Sequence, residues 1–423
     1  MAYMQIKNQL FIIFYYFASL TYKAILSNYL SMILTFEKSS IERIYSSNFT
    51  ENNNVTLLYK GRESFSAIFH EIEKARAFVC LQFYIFSNDA TGTEMAGLLK
   101  KKAKEGVKVY ILHDHFGSLW IPNSFWRDLK AAGIEIRVSR PFKWLSPFYY
   151  AHRDHRKLII IDGVKAFTGG LNIANEYRGF HFGHKTKGWR DTAIMLEGPV
   201  VSELFNTFRM TWKTWGESPM SLAAVPHSRH SNTKSDTKSN TGLSAITIFA
   251  SSSKGRRRMR KLLYYSINHA KKSILLTTAY FTPSRRMLDS LEEAVRRGVT
   301  VKLLLPGKSD VPAAQYAARA FFTRLLKGGI KIYTYQGEML HAKRYVFDGC
   351  WGIVGSANLD FQSLRWNDEG NVGILDEGFG KKITKVFEED LKNSAEVQED
   401  EWKNRSISER LKERFFVLFR RRL

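Results

Sequence analysis

The chain is poor in cysteine. It has two in 423 residues, Cys80 and Cys350, each inside an apolar run. That excludes a small fold stapled by disulfides and points to buried thiols in a reducing compartment. No set of Cys and His has zinc spacing, and no glycine-rich Walker or Rossmann signature occurs, so neither metal nor cofactor is expected. Acidic residues are also scarce: 40 Asp and Glu stand against 64 Lys and Arg, for a formal net charge of +24. Such a balance calls for a polyanionic partner, either nucleic acid or an anionic membrane surface. A clean membrane-spanning run is missing too. Residues 10–36 are long enough and largely apolar, but Lys23 and Asn28 fall in the middle. A central Lys costs about 2.5–3.5 kcal/mol on insertion, whereas each Leu, Ile or Phe returns only about 0.3–0.6 kcal/mol. The stretch therefore reads as a membrane-associated segment, inserted or interfacial, with a helix packed on the protein as the alternative. No small-x-small cleavage site follows it, which argues against a signal peptide.

What the chain does have is one design written twice. His155-Arg156-Lys157-Leu158-Ile159-Ile160-Ile161-Asp162 and His341-Ala342-Lys343-Arg344-Tyr345-Val346-Phe347-Asp348 both read H-x-K-x-x-x-x-D. In extended backbone, residues i and i+2 share a face, so each His and its Lys stand side by side, a pair suited to gripping a phosphate. Fourteen residues after each His comes a glycine (Gly169, Gly355), and seventeen after comes an asparagine (Asn172, Asn358). A repeat of all these positions at a fixed offset of 186 residues is not coincidence. His152 lies close by but has Asp154 where a Lys is needed, which leaves it as local scaffolding.

The duplication extends well beyond the motif. Gly298-Val299-Thr300-Val301 repeats Gly106-Val107-Lys108-Val109, and Gly329-Ile330-Lys331-Ile332 repeats Gly133-Ile134-Glu135-Ile136. Helical spacing alternates with short apolar strands in both halves, and the continuous apolar run after each Lys predicts a strand covered on both faces. Residues 1–50 form the membrane-associated segment, 51–217 a first domain, 218–243 a polar linker and 244–396 a second domain. Residues 397–423 form a basic amphipathic tail, with Ile407, Leu411, Phe415 and Leu418 at helical spacing, suited to a membrane surface, with a terminal helix docked on its own domain as the alternative. The aromatic run from Phe142 to Tyr150 is a candidate entry for acyl chains, with loop packing the alternative.

The paired motifs resemble those of the phospholipase D superfamily. Trp189-Arg190-Asp191, Leu196-Glu197-Gly198-Pro199, Gly355-Ser356-Ala357-Asn358-Leu359-Asp360 and Asn367-Asp368-Glu369, in that order, resemble the short type of bacterial cardiolipin synthase over about residues 55–392. The resemblance implies two tandem phospholipase D-like α/β/α sandwich domains, packed face to face with a shared active site. It implies a phosphohistidine intermediate with His155 as nucleophile and His341 as acid. Lys157, Lys343, Asn172, Asn358 and Ser356 would hold the phosphate, and Asp191 and Glu369 would orient the histidines. Asp162 and Asp348, though part of the catalytic motif, sit at an odd offset from their histidines and are read as mainly structural. Gly170 stands where the second half has Ser356, a break in the symmetry. The implied reaction condenses two phosphatidylglycerols into cardiolipin and glycerol at an anionic membrane, with catalytic domains on the cytoplasmic side and no nucleic acid partner. A hydrolytic phospholipase D releasing phosphatidic acid uses the same residues, and a superfamily nuclease is the third reading.

Overall fold

A computed structural model describes residues 36–422 except 143–151, 182–183, 186–187 and 221–241. The expected membrane segment before Phe36, most of the aromatic run and most of the linker lie outside the described residues.

The first half contributes β1 (Thr50–Leu58), β2 (Phe78–Phe83), β3 (Lys108–Asp114), β4 (Glu135–Ser139), β5 (Leu158–Ile161) and β6 (Lys165–Gly169). It continues with a short ribbon, β7 (Phe180–His181) and β8 (His184–Lys185), and then β9 (Ala193–Glu197). The second half contributes β10 (Leu243–Ala250), β11 (Ser273–Thr277), β12 (Thr300–Pro306), β13 (Lys331–Tyr335), β14 (Arg344–Phe347), β15 (Trp351–Gly355), β16 (Glu369–Leu375) and β17 (Ser394–Glu396). Their spatial orders are β4-β3-β2-β5-β6-β9-β1 and β13-β12-β11-β14-β15-β16-β10, the same pattern strand for strand. In each half, two helical crossover connections give parallel pairs at one side, and hairpins give antiparallel pairs at the other. Gly106 (φ +90°) and its repeat Gly298 (φ +87°) take the left-handed turn that releases a helix into the next strand.

The two halves do meet face to face. One core cluster joins Phe78, Cys80, Leu158, Leu204 and Phe208 to Leu275, Leu304, Val346, Ile374 and Phe387. They are also joined edge to edge. Strand β1 pairs antiparallel with β10, with an irregularity between Thr50 and Asn53, so the strands of both halves form one 15-stranded sheet. Strands β2, β5, β14 and β15 are buried at every position, as runs covered on both faces should be. Cys80 and Cys350 are buried free thiols.

Both ends of the described chain pack on the second half. Phe36, Ile41, Tyr45 and Phe49, around the helix Lys38–Tyr45, enter the same core as Ile246, Phe347 and Trp351. The helix Ile407–Leu418, started by the Ser406 side chain, docks on the helix Pro312–Arg319. Its inward face is ionic and aromatic. Glu413 is buried between Arg319 and Arg405, and Phe416 stacks on Tyr316. Among the described residues, no helix is long and apolar enough to cross a membrane.

Candidate active site

Each H-x-K segment is extended backbone that becomes a strand one residue after the Lys, β5 in the first half and β14 in the second. The motif Asp then closes the strand. Asp162 and Asp348 take left-handed φ values of 52° and 53°. Their carboxylates accept the backbone N–H groups of Arg76, Ala77 and Phe78, and of Lys271, Lys272 and Ser273. Each therefore ties the motif hairpin to the start of β2 or β11 through the N–H groups of three successive residues. Their role is structural in the geometry.

The backbone ahead of each His is held by the other half. His155 N–H donates to the Asp368 carbonyl at 2.9 Å, and Asp368 N–H returns the bond to Arg153 at 2.8 Å. Likewise His341 N–H donates to the Arg190 carbonyl at 2.8 Å, and Arg190 N–H donates to Met339 at 2.8 Å. Residues 191 and 369 follow these bridges, which brings each carboxylate under the histidine of the opposite half. Asp191 Oδ2 lies 2.7 Å from His341 Nδ1, and Glu369 Oε2 lies 3.2 Å from His155 Nδ1. A carboxylate on Nδ1 fixes the ring and its tautomer, leaving the Nε2 lone pair for the cleft. Lys343 Nζ also approaches His341 Nδ1 at 2.7 Å. That nitrogen carries a single proton, so the carboxylate takes it and the ammonium is anchored on the His341 carbonyl. Lys157 Nζ is bound to the His155 carbonyl in the same way, at 2.7 Å.

Both histidines line one cleft of about 480 Å³, together with Tyr84, Asn172, Tyr280 and Asn358. Asn172 accepts from Ile85 N–H and donates to the Tyr177 hydroxyl, and Asn358 accepts from Tyr280 N–H. Tyr84 and Tyr280 stand edge-on to His155 and His341. Burial and the neighbouring lysines hold both imidazoles below their ordinary pKa, His341 far below, so both rings are neutral near pH 7. Burial also lowers Lys157 to about 7 and Lys343 to about 8, and raises Asp191 to about 6. These are groups poised to exchange protons when an anion enters.

Ser356 requires a correction. It is fully buried and donates to Glu369 Oε2, while its oxygen accepts Gly370 N–H at 3.0 Å. It holds a carboxylate and does not face the phosphate site. The reason for Gly170 in the other half is then visible. A Cβ there would sit 2.1 Å from Asp191 Oδ1.

Sequence reasoning missed two buried ionic networks beneath the histidines. Asp368 receives Arg140 at 2.6 Å and Arg256 at 3.3 Å, and Arg156 binds Asp154 at 2.8 Å. Asp390 receives Arg190 at 2.6 Å and also Arg344. The signal was there: Arg156 and Arg344 each neighbour a motif residue whose side chain faces the cleft, so alternation sends them to the opposite face. His152 bonds the Trp366 carbonyl through Nδ1 at 2.8 Å, as scaffolding should.

Comparison with known proteins completes this geometry. The family model described as "Cardiolipin synthase, PLD-like domain" matches residues 68–212 and again residues 263–391. The chain belongs to the cardiolipin synthase family. The major cardiolipin synthase of Bacillus subtilis is 34% identical over 369 residues, covering 86% of this chain and 74% of that protein. A cardiolipin synthase of Clostridium perfringens is 34% identical over 372 residues, covering 87% and 76%. Among solved structures, the phosphatidylserine synthase of Haemophilus influenzae shares the fold, with a TM-score of 0.66 at 14% identity over 91% of this chain and all of that one. For a member of the cardiolipin synthase family, the two-motif cleft is the place to look for phosphatidyl transfer.

Proposed function

We propose that this chain is a membrane-associated phosphatidyltransferase that joins two phosphatidylglycerols into cardiolipin and releases glycerol. Its catalytic domains act at the cytoplasmic face of an anionic membrane. His155 Nε2 attacks the phosphorus of the first lipid. The bond from phosphorus to the glycerol oxygen breaks, and that oxygen leaves with a proton from His341. The phosphatidyl group is then held on His155. A hydroxyl of the second lipid's glycerol gives its proton to His341 and attacks phosphorus, and His155 leaves. Lys157, Lys343, Asn172 and Asn358 supply positive charge and donors for the non-bridging oxygens as the phosphorus passes through its crowded state. Glu369 and Asp191 hold the two rings and stabilise the imidazolium of each step.

The observation that carries this reading is the crossed arrangement: two neutral imidazoles face one cleft, each fixed through Nδ1 by a carboxylate of the other half. A covalent relay needs a nucleophile and an acid on opposite sides of one phosphorus, and this pairing provides both without a metal. The entering lipid's anionic phosphate places a negative charge between the rings and raises His341 toward the pKa a general acid needs.

The test is mass spectrometry of products from purified protein with phosphatidylglycerol vesicles, beside a His155→Ala control. Cardiolipin and glycerol, absent from the control, are expected. Phosphatidic acid as the sole lipid product would replace the transferase with a hydrolase. Cleavage of DNA or RNA with no lipid product would replace both.

A further inference from the structure

The helix Ile407–Leu418 is mounted inside out. In an amphipathic helix on a globular surface the apolar stripe faces the core. Here Ile407, Leu411, Phe415 and Leu418, spaced along one face, are 75%, 58%, 56% and 76% exposed. The two acids of the helix turn inward instead. Glu413 bonds Arg319 and Arg405, and Glu409 lies 2.7 Å from Arg319. The charges near the outward stripe are positive: Arg410 and Arg414, then Arg420, Arg421 and Arg422, with Lys412 reaching back to Glu409 at 3.4 Å.

The stripe also has a definite place relative to the chemistry. After Leu418 the chain runs along the cleft. The Arg420 carbonyl accepts from Thr282, the Arg421 carbonyl accepts from Gln362, and Arg422 lines the cavity that holds both histidines. The first half borders the same cavity with an apolar loop. Phe116 lines it, and Leu119 and Trp120 follow at 46% and 90% exposure. Two apolar elements, one from each half, therefore flank one mouth, and the cations lie beside them.

We infer that these two elements are the face by which the enzyme sits on an anionic bilayer, holding the cleft mouth against the headgroups so that lipid enters without leaving the membrane. The inference rests on the phosphatidyltransferase reading for its substrate. An apolar stripe flanked by Arg and Lys matches the interface of an anionic membrane, where side chains enter the acyl boundary and cations meet phosphates. A fully exposed Trp suits the headgroup level. A protein partner would find no exposed carboxylate on the helix to recognise, since both acids are engaged inward.

The test uses the full chain with Phe415→Cys or Trp120→Cys carrying an environment-sensitive fluorophore, which the buried Cys80 and Cys350 do not compete for. Lys381→Cys, on the exposed side of the helix Glu377–Leu391, is the control. With vesicles of equal parts phosphatidylglycerol and phosphatidylcholine, we expect at least a threefold rise in emission at 415 and 120, quenching by a shallow nitroxide lipid, and neither at 381. A Leu411→Glu, Leu418→Glu variant should bind these vesicles at least tenfold more weakly and turn over vesicular lipid more slowly, while its turnover of monomeric short-chain phosphatidylglycerol is unchanged. Unquenched labels on protein that co-sediments with vesicles would overturn the inference, as would unchanged vesicle binding by the double variant. Equal binding to pure phosphatidylcholine would overturn the anionic preference. A label response that follows protein concentration without vesicles would assign the face to a second copy. Insertion without turnover of the monomeric lipid would leave docking standing and reject the phosphatidylglycerol reading; turnover without insertion would do the reverse.

Discussion

The two halves have the same seven strands in the same order and the same motif at the same place, yet neither contains a complete histidine–carboxylate pair. His155 of the first half leans on Glu369 of the second at 3.2 Å, and His341 of the second leans on Asp191 of the first at 2.7 Å. Duplication here made a mutual dependence, because each half lends its carboxylate across the interface and keeps its lysine. The difference in distance, and in Asp against Glu, shows that the copies have been free to diverge within that exchange. The largest expected effect separates the two histidines by role. Both His155→Ala and His341→Ala should lose about 10⁴-fold or more on phosphatidylglycerol. An activated phosphodiester with a nitrophenol leaving group needs no acid, so it should restore most turnover to His341→Ala and none to His155→Ala. Rescue of the His155 variant instead would reverse the assignment.

The crossed carboxylates give the next effect. Glu369→Gln and Asp191→Asn should each slow lipid turnover about 10²–10³-fold, because a histidine without its carboxylate loses its tautomer and the support for its charged form. On the activated ester they should part company. Glu369→Gln, which serves the nucleophile, stays slow, whereas Asp191→Asn recovers. If the two recover in the opposite sense, each carboxylate acts on the histidine of its own half and the exchange is refuted.

A third effect tests the glycine side of the comparison. In Gly170→Ala the new methyl meets the buried Asp191 carboxylate at 2.1 Å and 2.6 Å, so Asp191 must shift away from His341. We expect a loss of about 1–3 kcal/mol in stability from overpacking, seen as a lower melting temperature. Activity should fall about tenfold to 100-fold, and the activated ester should again restore it. Unchanged melting and turnover would show that the pocket has room the static geometry lacks.

The motifs were legible because period-two alternation over a run of apolar residues is a strong signal, and because an internal repeat supplies its own control. Gly106 and Gly298 marked strand entries correctly for the same reason. The names of the orienting residues, Asp191 and Glu369, were also readable. Their crossing was not, since it pairs His155 with Glu369 and His341 with Asp191, residues 214 and 150 positions apart, through the backbone bridges at Asp368 and Arg190. The reading of Ser356 as a phosphate ligand fails because a hydroxyl two residues before Asn358 looks the same in sequence whether it faces the cleft or the carboxylate behind it. The joining of the halves through β1 and β10, and the packing of Phe36, Ile41 and Tyr45 on the second half, belong to tertiary pairing that local pattern does not encode.

The lysines provide a smaller contrast that pH can read. Burial lowers Lys157 to about 7 and Lys343 to about 8. A lysine is charged below its pKa, so the positive charge that attracts a phosphodiester disappears as pH rises through 7 to 8, first in the first half. With monomeric short-chain phosphatidylglycerol, kcat/KM should fall about tenfold between pH 7 and 9. The corresponding kcat should fall less, since a bound anion raises both lysines. Lys157→Gln should remove the lower-pH part of that fall and leave the upper. A kcat/KM that stays flat to pH 9 would mean that both ammonium groups keep their charge in the free enzyme.

The smallest effect is at Ser356, where the copies differ by one hydroxyl. Ser356→Ala removes a hydrogen bond to Glu369 and leaves Gly370 N–H without its acceptor, at a cost of about 1 kcal/mol or roughly fivefold in rate. Because Glu369 serves His155, which both substrates require, the loss should appear in kcat and be the same for lipid and activated ester. A hydroxyl that gripped phosphate would behave differently, raising KM for the lipid and sparing kcat. The split between kcat and KM therefore decides whether the second half gained a phosphate ligand that the first lacks. The alternative is that both halves solve one problem, holding a carboxylate still, with a longer acid and a serine on one side and a shorter acid and a glycine on the other.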